Sequence, residues 1–124
     1  MTRGRASTVA RGRDYEAAAE RYLSAQGLQC LVRNFRLRGG EIDLVMRDRG
    51  TLVFVEVRYR APGARVSPLE TITRAKQQRI VRTASAFLQA RPALAALSCR
   101  FDALGIDGTD DALRFDWIKG AFSA

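Results

Sequence analysis

The sequence predicts a single α+β domain in the order α-β-β-β-α-β-β, with a central mixed sheet flanked by helices. Apolar residues recur at helical spacing from Asp14 to Gly27 and again from Ser67 to Pro92. The segments between and after these helices are short, rich in β-branched and aromatic residues, and separated by glycine-containing turns. The chain has 124 residues and no internal repeat, so one domain accounts for its length.

The first part of the chain is expected to be a disordered basic arm, residues 1–12, which precedes a single folded domain at 13–124. The arm carries Arg3, Arg5 and Arg11 among small residues, and its apolar content is too low for packing. From Asp14 the sequence DYEAAAERYLSAQG has helical periodicity, and Gly27 provides a C-terminal stop. The first helix is therefore predicted to begin at Asp14.

Five strands and a second helix follow. Strands are predicted at 29–37, 41–47 and 51–60, joined by a Gly39-Gly40 turn and a turn at Asp48-Arg49-Gly50. Ser67-Pro68-Leu69-Glu70 matches a capping box at the start of the second helix, with Thr73 as an alternative start. Two more strands are predicted at 98–106 and 113–119, with GIDGTDD as the turn between them.

The charge of the chain indicates a polyanionic partner. Lysine and arginine number 21 against 13 aspartate and glutamate residues, which gives a formal net charge of +8. Most of these cations are arginine, the residue best suited to bidentate phosphate contacts, so nucleic acid is the leading candidate. Solubility alone, or a GC-rich genome that favours arginine and alanine, would explain the same composition.

The residue types that the chain lacks exclude several mechanisms. It has no histidine, which excludes Ser-His-Asp and Cys-His catalysis and argues against a zinc site. Cys30 and Cys99 lie far apart beside apolar residues, which predicts reduced core thiols. No apolar run is long enough to span a membrane, and the N-terminus lacks the apolar middle of a secretory signal. We therefore expect a cytoplasmic protein with no membrane partner.

Acidic residues occur inside two otherwise apolar strands. Side chains alternate across a strand, which puts Glu41, Asp43 and Val45 on one face, and Ile42, Leu44 and Met46 on the other. If the connection to the next strand runs from Asp48 to Thr51, Asp43 lies opposite Glu56. A three-residue loop would instead place the two carboxylates on different faces.

A facing pair of carboxylates has a defined chemical consequence. Their Cβ atoms would lie within about 5 Å, where like charges repel unless a cation sits between them. Carboxylate oxygens suit Mg²⁺ or Mn²⁺, and a basic surface nearby suggests metal-assisted phosphodiester hydrolysis. The alternative is that Asp43 and Glu56 form surface ion pairs with nearby arginines, namely Arg36, Arg38, Arg58 or Arg60.

The same residues carry a family resemblance. Glu-Ile-Asp, followed after a hairpin by Val-Glu-Val-Arg, resembles the catalytic core of the PD-(D/E)xK nuclease superfamily. The whole chain resembles the YraN family, bacterial proteins similar to archaeal Holliday junction resolvases. The matching stretches run from about residue 12 to residue 122 and are YEAAAERYL, RNFRLRGGEIDLV, LVFVEVRYR, ITRAKQQRI, CRFDAL and WIKGAF.

The resemblance implies a restriction-endonuclease-like fold, Mg²⁺ or Mn²⁺ as cofactor, DNA that includes branched forms as substrate, and a homodimer. It implies that Asp43 and Glu56 bind the metal together with the carbonyl of Val57. Glu16 falls where related resolvases place a first-helix glutamate near the metal, although helix packing alone would also explain it. Apart from the resemblance, the residues expected to contact nucleic acid through the basic face are Arg36, Arg38, Arg60, Arg74 and Lys76, although a solvated face would explain the arginines of β1 equally well.

Arg58 departs from the family's motif, which has a lysine at this position. Arginine stays protonated under ordinary conditions, so Arg58 cannot accept a proton as a lysine might, although it can orient water or stabilise charge on a phosphate. Lys76 on the second helix is a candidate replacement. If nothing replaces the lysine, the chain would be a nucleic-acid-binding or adaptor module that has lost catalysis. A protein-interaction module with incidental charge is a third hypothesis.

Two further matches are expected to be structural. Asp102 is explained by an ion pair with Arg100 on the same strand, and Trp117 by packing near the C-terminus. Neither is expected to be catalytic.

Overall fold

The computed structural model of the chain describes residues 8–61, 63, 66–109 and 111–124, with the side chains of the first helix from residue 15 onward. The elements are α1 (Thr8–Ala25), β1 (Gln29–Leu37), β2 (Gly40–Asp48), β3 (Thr51–Tyr59), a 3₁₀ turn (Pro68–Thr71), α2 (Arg74–Gln89), α3 (Pro92–Ala95), β4 (Ser98–Thr109) and β5 (Ala112–Phe122). The predicted order is confirmed, with α3 as one short additional turn of helix.

The strands form one five-stranded mixed sheet in the order β1-β2-β3-β4-β5. β3 and β4 are parallel, whereas the other neighbouring pairs are antiparallel. Parallel neighbours need a crossover connection, and the 3₁₀ turn, α2 and α3 supply it. The fold is therefore the predicted α+β arrangement, with a central mixed sheet flanked by helices as in restriction-endonuclease-like proteins.

Two apolar cores hold the helices to opposite faces of the sheet. The core on the α1 side contains Ala19, Leu23, Leu28, Leu44, Met46, Val53, Val55, Leu104 and Ile106. The core on the α2 side contains Ile42, Val45, Leu52, Phe54, Ile72, Ile80, Ala84, Phe87, Phe101 and Ala103. In the described part of the chain, no helix combines the length and the hydropathy needed to cross a membrane.

The first helix begins earlier than predicted and ends as predicted. It starts at Thr8 rather than at Asp14. Part of the predicted arm is therefore helical, and residues 1–7 lie outside the described residues. Gly27 has a φ of 101°, and the amides of Leu28 and Gly27 donate to the carbonyls of Leu23 and Ser24 at 3.1 and 3.0 Å. This Schellman motif directs the chain into β1.

Both predicted starts of the second helix are used. Ser67 caps the 3₁₀ turn, with its Oγ accepting from the Leu69 amide at 3.3 Å and its amide donating to Glu70 Oε1 at 3.0 Å. Thr73 then caps α2, since its Oγ1 accepts from the Lys76 amide at 3.1 Å. The two caps fix the 3₁₀ turn and the first turn of α2 beside the end of β3.

The turn between the last two strands is shorter than predicted. β4 continues through Thr109 and β5 begins at Ala112, so most of GIDGTDD is strand. The buried Asp107 is tolerated there because Arg60 and Arg114 bind its carboxylate. Gly108 has a φ of 103°, and a Cβ at that position would lie 2.2 Å from the Ala112 carbonyl oxygen.

The expectation of two core thiols holds only in part. Both cysteines are free thiols, but Cys30 is half-buried and Cys99 is exposed. Cys99 is the second residue of β4, where the strand is not yet covered by the helices.

Candidate functional site

The register of β2 and β3 brings Asp43 and Glu56 together. Arg47 pairs with Leu52, and the last paired positions are Leu44 and Val55, so one further step along both strands puts Asp43 opposite Glu56. The connection runs from Asp48 to Thr51, and the predicted register is confirmed. The backbone pairing of β2 with β3 ends at Leu44. Beyond it, the Val57 amide donates to a side chain, Asp43 Oδ2, at 2.7 Å.

The pleat of β2 is irregular at Asp43, and this corrects the predicted alternation of faces. Ile42 packs in the α2-side core together with Val45, rather than with Leu44 on the α1 side. Across from Asp43, Asn34 of β1 has a φ of 51°. Positive φ is uncommon for residues other than glycine, although asparagine tolerates it. The irregular pleat leaves the carboxylate of Asp43 free to turn towards β3.

The environment of Asp43 disfavours its negative charge. The residue is only 7% exposed, and burial raises the pKa of its carboxyl well above the ordinary value. The charge of Glu56 raises this pKa further, and those of Glu16 and Glu41 act in the same direction. The hydrogen bond from the Val57 amide opposes them only in part. Glu16 is thus electrostatically coupled to Asp43, and a cation beside Asp43 would relieve the conflict.

Glu56 has two cationic neighbours from different elements. The residue is 4% exposed, and its Oε2 lies 3.3 Å from Arg58 Nη1 and 3.4 Å from Lys76 Nζ. Lys76 is in the first turn of α2, so the helix that covers this face of the sheet delivers a lysine to the carboxylate pair. The sequence did not give the distance from Lys76 to the carboxylate pair; in the structure its amine lies beside Glu56.

Arg58 is held in place by the 3₁₀ turn. Its Nε donates to Thr71 Oγ1 and its Nη2 to the Thr71 carbonyl, each at 3.0 Å. Thr71 Oγ1 in turn donates to the Pro68 carbonyl at 2.7 Å. The sequence did not identify Thr71 as part of the site, since the capping box predicts a turn but not what that turn contacts.

The donor set suits a hard divalent ion that keeps several water ligands. Among the side chains that the structure describes, no group of three or more acidic, cysteine or histidine residues is arranged to hold a metal. Asp43, Glu56 and the Val57 carbonyl offer oxygen donors only. Mg²⁺ and Mn²⁺ bind through one or two carboxylates together with water and phosphate, so these residues fit either ion.

A basic groove lies beside the carboxylate pair. One part, of about 430 Å³, is lined by Arg36, Glu41, Lys76 and Arg79 at the edge of β1, β2 and α2. A second part, of about 230 Å³, is lined by Arg38, Arg79 and Arg82. Arg79 lines both parts. We call the set Arg36, Arg38, Lys76, Arg79 and Arg82 the basic groove; the spacing of its three α2 members along one helix face could have identified it.

Two of the arginines implied for nucleic-acid contact lie elsewhere. Arg60 has a side chain that is 10% exposed, and its guanidinium donates to the Val66 carbonyl and pairs with Asp107 Oδ2 at 3.4 Å. In the structure the Arg60 side chain therefore takes part in an ion pair inside the fold. Arg74 is exposed at the start of α2 but lines a separate cavity of about 550 Å³ with Phe122.

Asp102 and Trp117 have the structural roles expected of them. Asp102 is fully buried and accepts hydrogen bonds from Arg100 Nε at 3.0 Å, Trp117 Nε1 at 3.0 Å and the Gly120 amide at 2.9 Å. Arg100 also bonds to Asp48 Oδ2 at 3.1 Å. This network joins β2, β4 and β5.

Comparison with known proteins places the chain in a family. Residues 15–106 match the family described as "Uncharacterised protein family UPF0102", and this range includes the carboxylate pair, Arg58 and Lys76. A UPF0102 protein of Pseudomonas putida (strain GB-1) is 47% identical over 118 residues, which cover 94% of this chain and 96% of the relative. One from Coxiella burnetii (strain RSA 331 / Henzerling II) is 46% identical over 110 residues, 89% of each chain. The chain therefore belongs to UPF0102, the YraN family, and the resemblance noted in its sequence is confirmed.

Proposed function

We propose that this protein is a metal-dependent endonuclease that hydrolyses phosphodiester bonds in DNA, branched DNA included, in the cytoplasm. The observation that carries the proposal is the facing pair of buried carboxylates, Asp43 and Glu56, with Lys76 Nζ 3.4 Å from Glu56 Oε2. Two buried like charges favour a bound cation, and the basic groove beside them fits a phosphate backbone. Together these features favour hydrolysis of that backbone.

Asp43, Glu56 and the Val57 carbonyl would hold Mg²⁺ or Mn²⁺, and Glu16 would add negative charge nearby. When bound, such an ion supplies a Lewis acid that stabilises the charge that develops on the phosphoryl oxygens. The Val57 amide holds Asp43 Oδ2 at 2.7 Å, so the orientation of this carboxylate is set before any ligand arrives.

Lys76 and Arg58 contribute different chemistry to the same carboxylate. Arg58 stays protonated and is fixed to Thr71, so it serves as a constant positive charge that orients Glu56 and stabilises the phosphate. Lysine can exchange a proton with water or with a leaving oxygen, whereas arginine cannot. We therefore assign to Lys76 the role of the motif lysine in related nucleases, which is to position or deprotonate the attacking water. Arg58 provides electrostatic support.

A second candidate function is nucleic-acid binding without catalysis. Arg58 and Lys76 bring two positive charges to Glu56, so this carboxylate has cationic partners without a metal. In that case the basic groove would bind DNA in a salt-sensitive manner and no metal would produce cleavage.

A cleavage assay separates the two candidates. Wild type, Asp43→Asn, Lys76→Ala and Lys119→Ala are incubated with labelled four-way junction, flap, duplex and single-stranded DNA in Mg²⁺, Mn²⁺ or a chelator. Lys119 is the matched control, since it is an exposed lysine near the β2-β3 turn, at the opposite end of these strands. Metal-dependent cleavage by wild type and Lys119→Ala, lost in Asp43→Asn and Lys76→Ala, supports the endonuclease.

Binding without cleavage under every condition would contradict the endonuclease and support the second candidate. Paired, symmetric cuts in the four-way junction would in addition support the homodimer that the family resemblance implies, because each copy carries one carboxylate pair.

A further inference from the structure

Tyr59 is an exposed aromatic residue beside the candidate site. It is the last residue of β3, and it is 44% exposed. Its ring stacks on Tyr15 of α1, with ring centroids 4.3 Å apart and an interplanar angle of 13°. Tyr15 in turn packs against the core on the α1 side. Tyr15 thus anchors the stack to the core, and Tyr59 is its exposed ring.

The stack lies at the same end of β3 as the catalytic candidates. Alternation along the strand directs Glu56 and Arg58 to the α2 side and Tyr59 to the α1 side. The contacts agree, since Lys76 of α2 reaches Glu56 and Tyr15 of α1 reaches Tyr59. At roughly 3.3 Å per residue, Tyr59 lies about 10 Å along the strand from Glu56, the length of about three base steps of 3.4 Å.

We propose that the Tyr15–Tyr59 stack is a platform for an unpaired nucleobase of the DNA substrate, and that it selects DNA with single-stranded nucleotides near the scissile phosphate. This inference rests on the proposed function. A pair of stacked rings accepts a third flat ring, and every base offers one, so the selection is for structure and not for sequence. Bases inside a continuous duplex are already stacked on each other. The preferred substrates would be flaps, branches with unpaired ends, and single strands.

The test is a binding measurement in the presence of a chelator, so that no cleavage occurs. Flap DNA with 2-aminopurine in its unpaired strand, and continuous duplex of the same sequence, are titrated with wild type, Tyr59→Leu and Tyr59→Phe. Leucine keeps an apolar side chain without a ring, whereas phenylalanine keeps the ring. We expect Tyr59→Leu to lower the preference for flap over duplex by about 5- to 100-fold, and Tyr59→Phe to preserve it. Wild type and Tyr59→Phe should quench the 2-aminopurine fluorescence, whereas Tyr59→Leu should not.

The outcomes separate this inference from the proposed function. If wild type binds both DNAs but Tyr59→Leu changes neither the preference nor the quenching, the platform is contradicted and the proposed function stands. An equal loss of preference in Tyr59→Leu and Tyr59→Phe would also contradict it, because the ring would then not be the cause. If wild type binds no DNA at low salt, the platform and the proposed function both fail.

Discussion

Lys76 Nζ lies 3.4 Å from Glu56 Oε2, and Arg58 Nη1 reaches the same oxygen at 3.3 Å. Lys76 of α2 and Arg58 of β3 thus contact the same carboxylate, that of Glu56. Because one cation is a lysine of α2 and the other an arginine of β3, their contributions can be tested separately.

Loss of the Lys76 amine should slow cleavage more than loss of the packing of its side chain. We expect Lys76→Ala to lower the rate of metal-dependent cleavage by about 10² to 10⁴, the usual contribution of a general acid or base. Lys76→Arg keeps the charge but cannot release a proton, and it should be nearly as slow. Single-turnover cleavage of labelled flap DNA measures both. A Lys76→Arg variant with wild-type rate would show that only the charge matters.

The buried carboxyl of Asp43 should make stability depend on pH. Burial and Glu56 raise its pKa in the folded chain above the unfolded value of about 3.9, so the folded state binds more protons between these two values. In chelator, stability should therefore fall as pH rises from about 4 through the folded pKa, and then level off. Asp43→Asn should remove this fall and raise the Tm at neutral pH by a few degrees.

Thermal unfolding followed over a pH series in chelator measures this effect. Asp111→Asn is a control, since Asp111 is exposed and directly precedes β5. If Asp43→Asn lowered the Tm at neutral pH while the control did not, the carboxylate of Asp43 would be stabilised in the fold, contrary to this account.

The hydroxyl of Thr71 should matter through Arg58. Thr71→Val keeps the shape of the side chain but removes the acceptor for Arg58 Nε, while the Thr71 carbonyl remains available. We expect a loss of about 1 kcal/mol of stability and a lower turnover, with the affinity for DNA little changed. Separate measurement of kcat and KM checks this. A rise in KM alone would place Arg58 in substrate binding instead.

The basic groove should account for the salt dependence of DNA binding. Each phosphate contact contributes about 0.9 to the slope of log affinity against log salt, so Arg79→Gln should reduce that slope by about one. Arg60→Gln should leave the slope unchanged and lower the Tm instead, because Arg60 is paired with Asp107 inside the fold. Fluorescence anisotropy at several salt concentrations tests both. Equal slopes for wild type and Arg79→Gln would exclude Arg79 from the interface.

Local patterns in the sequence were sufficient for most of the fold. The alternation around Val53 and Val55 predicted the strand, whereas its register with β2 depended on a connection from Asp48 to Thr51, which the structure has, so that Asp43 faces Glu56. The caps at Ser67 and Thr73 were equally local, because a capping residue acts within one helical turn. These features depend on neighbours in sequence.

The features that were missed depend on tertiary contacts. The irregular pleat at Asp43 needs the matching conformation of Asn34 on another strand. β4 extends through the buried Asp107, whose carboxylate is paired with Arg60 and Arg114. The same contact holds the Arg60 side chain against Asp107, and the distance from Lys76 to Glu56 depends on how α2 packs on the sheet. None of these contacts is encoded by spacing along the chain.

The central claim is that Asp43 and Glu56 form one divalent-cation site, and calorimetric titration with Mn²⁺ tests it without knowledge of the DNA substrate. At neutral pH and low salt, we predict about one Mn²⁺ bound per wild-type chain, and binding at least about tenfold weaker in Asp43→Asn, in which a neutral amide replaces one of two carboxylates. Equal binding by the two proteins, or no binding by wild type, would contradict the claim.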